Sequence, residues 1–142
     1  MVAQCDDPPP IDVKYFGVEL NLAGLPAGAD DRFFHSASQR LGQLGEKLDL
    51  QQTQSLGLTD EWLGIDVRLE LDQAANIWAY PIESVSQSEG GFELVHQSVV
   101  VLPHWQVRGD AEGRWAATMQ LHLDTRLADS RRLQAAEQTV VG

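Results

Sequence analysis

The sequence predicts an all-β chain: an antiparallel β-sandwich with little helix. Three observations carry that reading. From Trp62 to Leu71, apolar Leu63, Ile65, Val67, Leu69 and Leu71 alternate with Trp62, Gly64, Asp66, Arg68 and Glu70, the period of two that a half-buried strand requires. The stretch Ile77 to Glu93 reads as a strand, a polar turn containing Gly90-Gly91, and the start of a second, longer strand. Turn signals separate the apolar-faced segments throughout, which yields about seven to nine strands in two packed sheets.

In chain order, residues 1–12 form an expected flexible lead-in, because Pro8, Pro9 and Pro10 offer no amide donors and favour an extended polyproline path. Val13 to Leu22 alternates, with Phe16, Val18, Leu20 and Leu22 on one face, and predicts one strand. Ala23 to Asp31 is a Gly- and Pro-rich loop. Arg32 to His35 and Leu48 to Thr53 suit short strands, while Ser36 to Glu46 fits a helical turn or a loop, with Gly42 and Gly45 against a stable helix. Asp72-Gln73 is expected to start a turn before the strand Asn76 to Ile82. Phe92 to Leu102 begins in alternation and ends in an unbroken apolar run, so its far end should be buried on both faces, with Pro103 as its stop. Gly109 to Gly113 is a tight connection, and Arg114 to Thr125 alternates again. The sandwich therefore spans 13–125. Residues 126–142 are either a short helix started by Ser130 or a frayed tail.

Composition bounds the function. A chain of 142 residues has the length of one domain and can bury on the order of two-thirds of its unfolded surface. A net charge of −11 argues against a sequence-independent grip on nucleic acid and against adhesion to anionic membrane. Cys5 is the sole cysteine, so an intramolecular disulfide and a thiolate metal cluster are both excluded. The N-terminus has no basic region followed by an apolar run, and no apolar stretch approaches the roughly 18 residues of a membrane span, so a cytoplasmic chain is expected.

Candidate chemistry centres on Trp78, Tyr80, Glu83, Gln87 and Glu89, with Trp62 from the neighbouring strand. Aromatic rings can stack on the apolar face of a pyranose while carboxylates and amides meet its hydroxyls. The same residues also make an ordinary hairpin with solvated acids. No metal or cofactor is expected: His35, His96, His104 and His122 lie singly on different strands, and Asp30-Asp31 alone does not define a calcium site. There is no Gly-x-Ser-x-Gly elbow and no phosphate loop at Gly90-Gly91. Glu83, Glu89, Glu93 and the pair Asp60-Glu61 are the carboxylates from which a glycosidase pair could come.

Four blocks occur in order: Phe16-Gly17-Val18-Glu19-Leu20-Asn21, Asp60-Glu61-Trp62-Leu63-Gly64-Ile65-Asp66-Val67, the run from Pro81 through Ser86-Gln87-Ser88-Glu89-Gly90-Gly91-Phe92-Glu93, and Val101-Leu102-Pro103-His104-Trp105. Together they resemble the C-terminal all-β domain of glycoside hydrolase family 57, the α-amylase and 4-α-glucanotransferase group, over about Val13 to Leu123. The resemblance implies a galactose-mutarotase-like sandwich, of which only the later part is matched. It also implies a preceding barrel that carries the catalytic carboxylates. No strand–helix alternation here could build that barrel, so no catalytic residue carries over. The chain is then a fragment, a free-standing remnant, or a subunit that docks on a separate barrel. The expected role is a non-catalytic accessory domain of an α-glucan-active enzyme, binding carbohydrate or forming the cleft. The alternative is a protein-interaction module without sugar binding. Expected partners are an α-glucan or maltooligosaccharide, and a catalytic barrel or a second copy of the chain, since a sandwich missing strands exposes unpaired edges.

Overall fold

The computed structural model describes residues 14–23, 25 and 29–141. The expected lead-in at 1–12 lies outside them. Eight strands and one helix run β1 (Lys14–Gly17), β2 (Leu20–Ala23), β3 (Arg32–Ser36), β4 (Gln39–Gln43), β5 (Leu48–Asp60), β6 (Ile65–Ser88), β7 (Gly91–Val107), β8 (Met119–Asp124) and α1 (Arg126–Val141). All pairings are antiparallel, in the order β1-β7-β6-β5-β3-β4, with β2 also on β7 and β8 also on β6. The all-β sandwich is what forms.

The long strand β6 makes this one sheet into two layers. Asp66 to Leu71 pairs with β8, and Asn76 to Ser88 pairs with β7, while β5 follows the opposite edge of β6 with a register break between Leu50 and Ser55. Val67, Leu69 and Leu71 before the break, and Ala75, Ile77 and Ala79 after it, are all buried. The same face of β6 therefore meets the core on both sides of the corner. The two halves share one cluster, in which Leu56 and Leu58 join Val99, Val101, Phe34, Leu44 and Trp105.

Several boundaries differ from the sequence expectation, each for a local reason. The expected strand Val13 to Leu22 is split at Val18-Glu19. Opposite the split stands Pro103, whose carbonyl accepts the Val18 amide at 3.0 Å. The missing amide of Pro103 points to the same side, into the gap between β1 and β2, so β7 continues through the proline to Val107. Within 36–46, β4 (Gln39–Gln43) follows a two-residue turn at Ala37 and Ser38 with φ of 50° and 67°. Such a turn usually carries Asn-Gly, and Ala-Ser gives no such signal. Asp72-Gln73 starts no chain reversal; β6 bends there and runs on.

The strand expected from Trp62 begins instead at Ile65. Asp60 Oδ1 accepts the Leu63 amide at 2.9 Å, the Gly64 amide returns to the Asp60 carbonyl at 2.9 Å, and Gly64 takes φ of 73°. A Cβ on Gly64 would stand 2.7 Å from the Ala128 amide nitrogen, so this turn also lets α1 approach. Residues 114–118 join no ladder, and β8 begins at Met119. The helix starts at Arg126, ahead of Ser130. No helix among the described residues is long and apolar enough to cross a membrane.

Candidate functional site

The outer face of β5, β6 and β7 presents an aromatic platform. Alternation puts Ile77 and Ala79 in the core and turns Trp78 outward, where 48% of it remains exposed. Asp49 of β5 stands opposite Trp78 on one side and Leu102 of β7 on the other. His104 lies diagonally across, its ring 4.2 Å from that of Trp78 and tilted by 46°. Its Nδ1–H donates to the Leu102 carbonyl at 3.2 Å, which fixes the imidazole beside the indole. Gly17 leaves room for Leu102 and His104 to approach β1 closely. Gln51 donates to Asp49 at 2.9 Å, and Asn76 accepts from the Gln52 amide at 3.0 Å. An indole ringed by a carboxylate, two amides and an imidazole can stack on one face of a sugar and bond its hydroxyls.

The other residues singled out from the sequence do not all converge here. Tyr80 shares the Trp78 face, two positions along β6. Glu83 and Gln87 point to the opposite face, paired with His96 and Phe92. Glu89 stands at the turn beyond Ser88, and Trp62 lies in the turn before β6, 70% exposed. Arg131 clamps that turn to α1 by donating to the carbonyls of Glu61 and Trp62 at 3.0 and 2.8 Å. Sequence reading missed Asp49 and His104, which only strand register brings to Trp78, and Gln51, which is held to Asp49.

A second polar cluster covers the outer face where β3, β5, β6 and β8 meet. The Thr59 hydroxyl donates to Asp66 Oδ1 at 2.6 Å, leaving its oxygen to accept from His35 Nε2–H at 2.8 Å. Gly57 provides the space for that ring, since a Cβ would collide with it. Asp66 faces Asp124 across the β6–β8 rung. The guanidinium of Arg126 donates three hydrogen bonds to the two carboxylate oxygens of Asp124, and the Arg126 amide adds a fourth. These bonds hold the Asp124 carboxyl down from its ordinary 3.8 to about 2. An acid so lowered cannot carry the proton that a glycosidase acid must deliver near neutrality. Glu83 and Glu93 stand on opposite faces of their ribbon, and Asp60 is buried against Arg32. Among the described residues no group of three or more His, Cys, Asp or Glu is placed to hold a metal.

This pair yields a direct check. Because the folded carboxyl is lowered, its contribution to stability is present above the ordinary value and lost as pH falls through about 2. An NMR titration of Asp124 should show a midpoint near that value, and in Arg126→Ala the midpoint should return to the ordinary carboxylate range.

The family described as "Alpha-amylase/4-alpha-glucanotransferase, C-terminal" matches residues 4–119. The chain belongs to this family. It is 32% identical over 100 residues to a 4-alpha-glucanotransferase of Thermococcus kodakarensis, covering 70% of this chain and 13% of that protein. It is 32% identical over 108 residues to Alpha-amylase 1 of Dictyoglomus thermophilum, covering 74% and 15%. The crystal structure of 4-alpha-glucanotransferase from Thermococcus litoralis superposes on 76% of this chain and 14% of its own, with a TM-score of 0.53 and 26% identity. The chain thus spans about one-seventh of the length of these relatives and corresponds to their C-terminal part.

Proposed function

We propose that this C-terminal-family chain is a non-catalytic accessory sandwich, galactose-mutarotase-like in kind, that holds an α-glucan against the Trp78 face. The observation that carries the reading is the half-exposed Trp78 ring braced by His104 and bordered by Asp49, Gln51 and Asn76. The substrate class comes from the relatives, which are named for acting on α-glucans. Bond cleavage is assigned to a catalytic part of the kind the longer relatives have room for.

Isothermal titration of the chain with a maltooligosaccharide tests this. Wild type should give saturable heat, and Trp78→Ala should weaken binding by about 10-fold, the loss of one stacking contact of roughly 1.4 kcal/mol. Circular dichroism should be unchanged, since Trp78 lies outside the core. Absence of heat with wild type, or equal binding by Trp78→Ala, defeats the proposal. A module that docks on a catalytic domain without touching sugar would then be favoured. Measurable release of reducing sugar by the purified chain would contradict the non-catalytic assignment.

A further inference from the structure

Away from the platform, a second exposed tryptophan stands on a rigid support. Trp62 sits in the turn Glu61–Gly64 that leads into β6, and 70% of it is open to solvent. Hydrogen bonds fix the turn from two sides. The Glu61 amide donates to the Asp31 carbonyl at 2.8 Å, the Leu63 amide to Asp60 Oδ1 at 2.9 Å, and the Gly64 amide to the Asp60 carbonyl at 2.9 Å. From α1, the Ala128 amide donates to the Gly64 carbonyl at 3.2 Å, and Arg131 Nη1 donates to the carbonyls of Glu61 and Trp62. Every residue of the turn is thereby anchored. A large ring held ready in water loses little further freedom when a ligand stacks on it.

Beside the ring lies an open groove of about 500 Å³, lined by Asp31, Glu61, Trp62 and Arg131. The two carboxylates can accept hydrogen bonds. Arg131 uses only Nη1 for the clamp, and its other N–H groups make no bond among the described residues. This lining selects a class of ligand. A protein surface docking on Trp62 would have to strip water from three charged side chains, and no aliphatic side chain lines the groove to compensate. A cation drawn to the indole and the carboxylates would meet the Arg131 guanidinium. A sugar suits all four groups: its C–H face covers the indole, while its hydroxyls take over from water as donors to the carboxylates and acceptors from the guanidinium.

We propose that Trp62 is the centre of a second carbohydrate site, independent of Trp78, in which Asp31, Glu61 and Arg131 hold the hydroxyls of an α-glucan. The ligand class rests on the α-glucan reading above, but the site does not need the Trp78 platform. The stretch of β6 from Ile65 to Trp78 is roughly 40 Å long in contour and turns the corner between β8 and β7, so the two rings belong to different parts of the surface.

NMR of the isotope-labelled chain titrated with maltotriose tests this, because each indole N–H gives its own signal. The Trp62 and Trp78 indoles should both shift. Trp105, buried and bonded to the Gln73 carbonyl, should stay still and report that the fold is intact. In Trp78→Ala the Trp62 shift should persist with an unchanged Kd, and in Trp62→Ala the Trp78 shift should persist. Arg131→Ala should weaken binding at Trp62 by about 10-fold, through the lost donor and the unclamped turn, and leave Trp78 unaffected. A Trp62 signal that stays still while Trp78 moves overturns the second site and leaves the platform standing. Movement at Trp62 with none at Trp78 does the reverse. A Trp62 shift that vanishes in Trp78→Ala would show that the ring only follows the platform, which also overturns the site. Stillness of both indoles overturns both readings.

Discussion

Arg32→Ala is expected to destabilise the chain by about 3–5 kcal/mol, the range for leaving one member of a buried ion pair without its partner. Asp60 is fully buried, and its Oδ2 faces Arg32 Nε at 3.4 Å with no better-aligned hydrogen bond on either atom. Asp31 is the next carboxylate along, at 3.9 Å from the same nitrogen and partly exposed. Removing the guanidinium therefore strands a charge in the interior. The other Asp60 oxygen holds the Leu63 amide, so the loss should also loosen the turn that carries Trp62. Urea unfolding followed by circular dichroism measures the first effect. Increased amide exchange at Leu63 and Gly64 would report the second. The double variant Arg32→Leu with Asp60→Leu should recover much of the loss, because the cost comes from the unpaired charge. A loss under 1 kcal/mol in Arg32→Ala would mean that water reaches Asp60.

Much of this architecture was legible because alternation survives wherever one face is buried. Ile65 to Leu71, Ile77, Ala79 and the doubly buried Val99 to Val101 lie where the pattern puts them. The lapses occur where backbone geometry overrides residue preference. Ala37-Ser38 turns with positive φ without glycine or asparagine, and so β4 was hidden. Pro103 stays inside a strand because its missing donor faces a gap that only the split of β1 from β2 creates.

The platform around Trp78 was half legible for a similar reason. Counting rungs back from the turn at Glu89-Gly90 would put Trp78 opposite Val101. The register shift between Ile82 and Glu83 leaves Gln97 over as an extra residue in β7, so Trp78 instead faces Leu102. That one residue exchanges the two faces of β7 beyond it. It brings His104 out beside Trp78 and sends Trp105 inward. An unpaired residue of this kind leaves no hydrophobic signature, so the partners of Trp78 could not be read from spacing, although Trp78 itself could.

Trp105 is consequently the side chain on which the bulge places most energy. It is 5% exposed, belongs to the core cluster, stacks on Phe16 and meets Trp115 at a tilt of 59°. Its Nε1–H donates to the Gln73 carbonyl at 3.1 Å, at the corner where β6 passes from β8 to β7. Trp105→Ala should cost about 3–5 kcal/mol, as other buried large-to-small changes do. It should also erase much of the near-ultraviolet circular dichroism of the three-ring stack. Trp105→Phe keeps most of the packing and should lose about 1 kcal/mol, mainly through the hydrogen bond at the corner. Trp78 lies five residues beyond Gln73 on the same strand. A loosened corner should therefore weaken maltooligosaccharide binding in Trp105→Phe more than a core change of equal cost elsewhere, such as Val67→Ala. Equal weakening by the two variants would show that the corner does not position the platform and that only global stability matters.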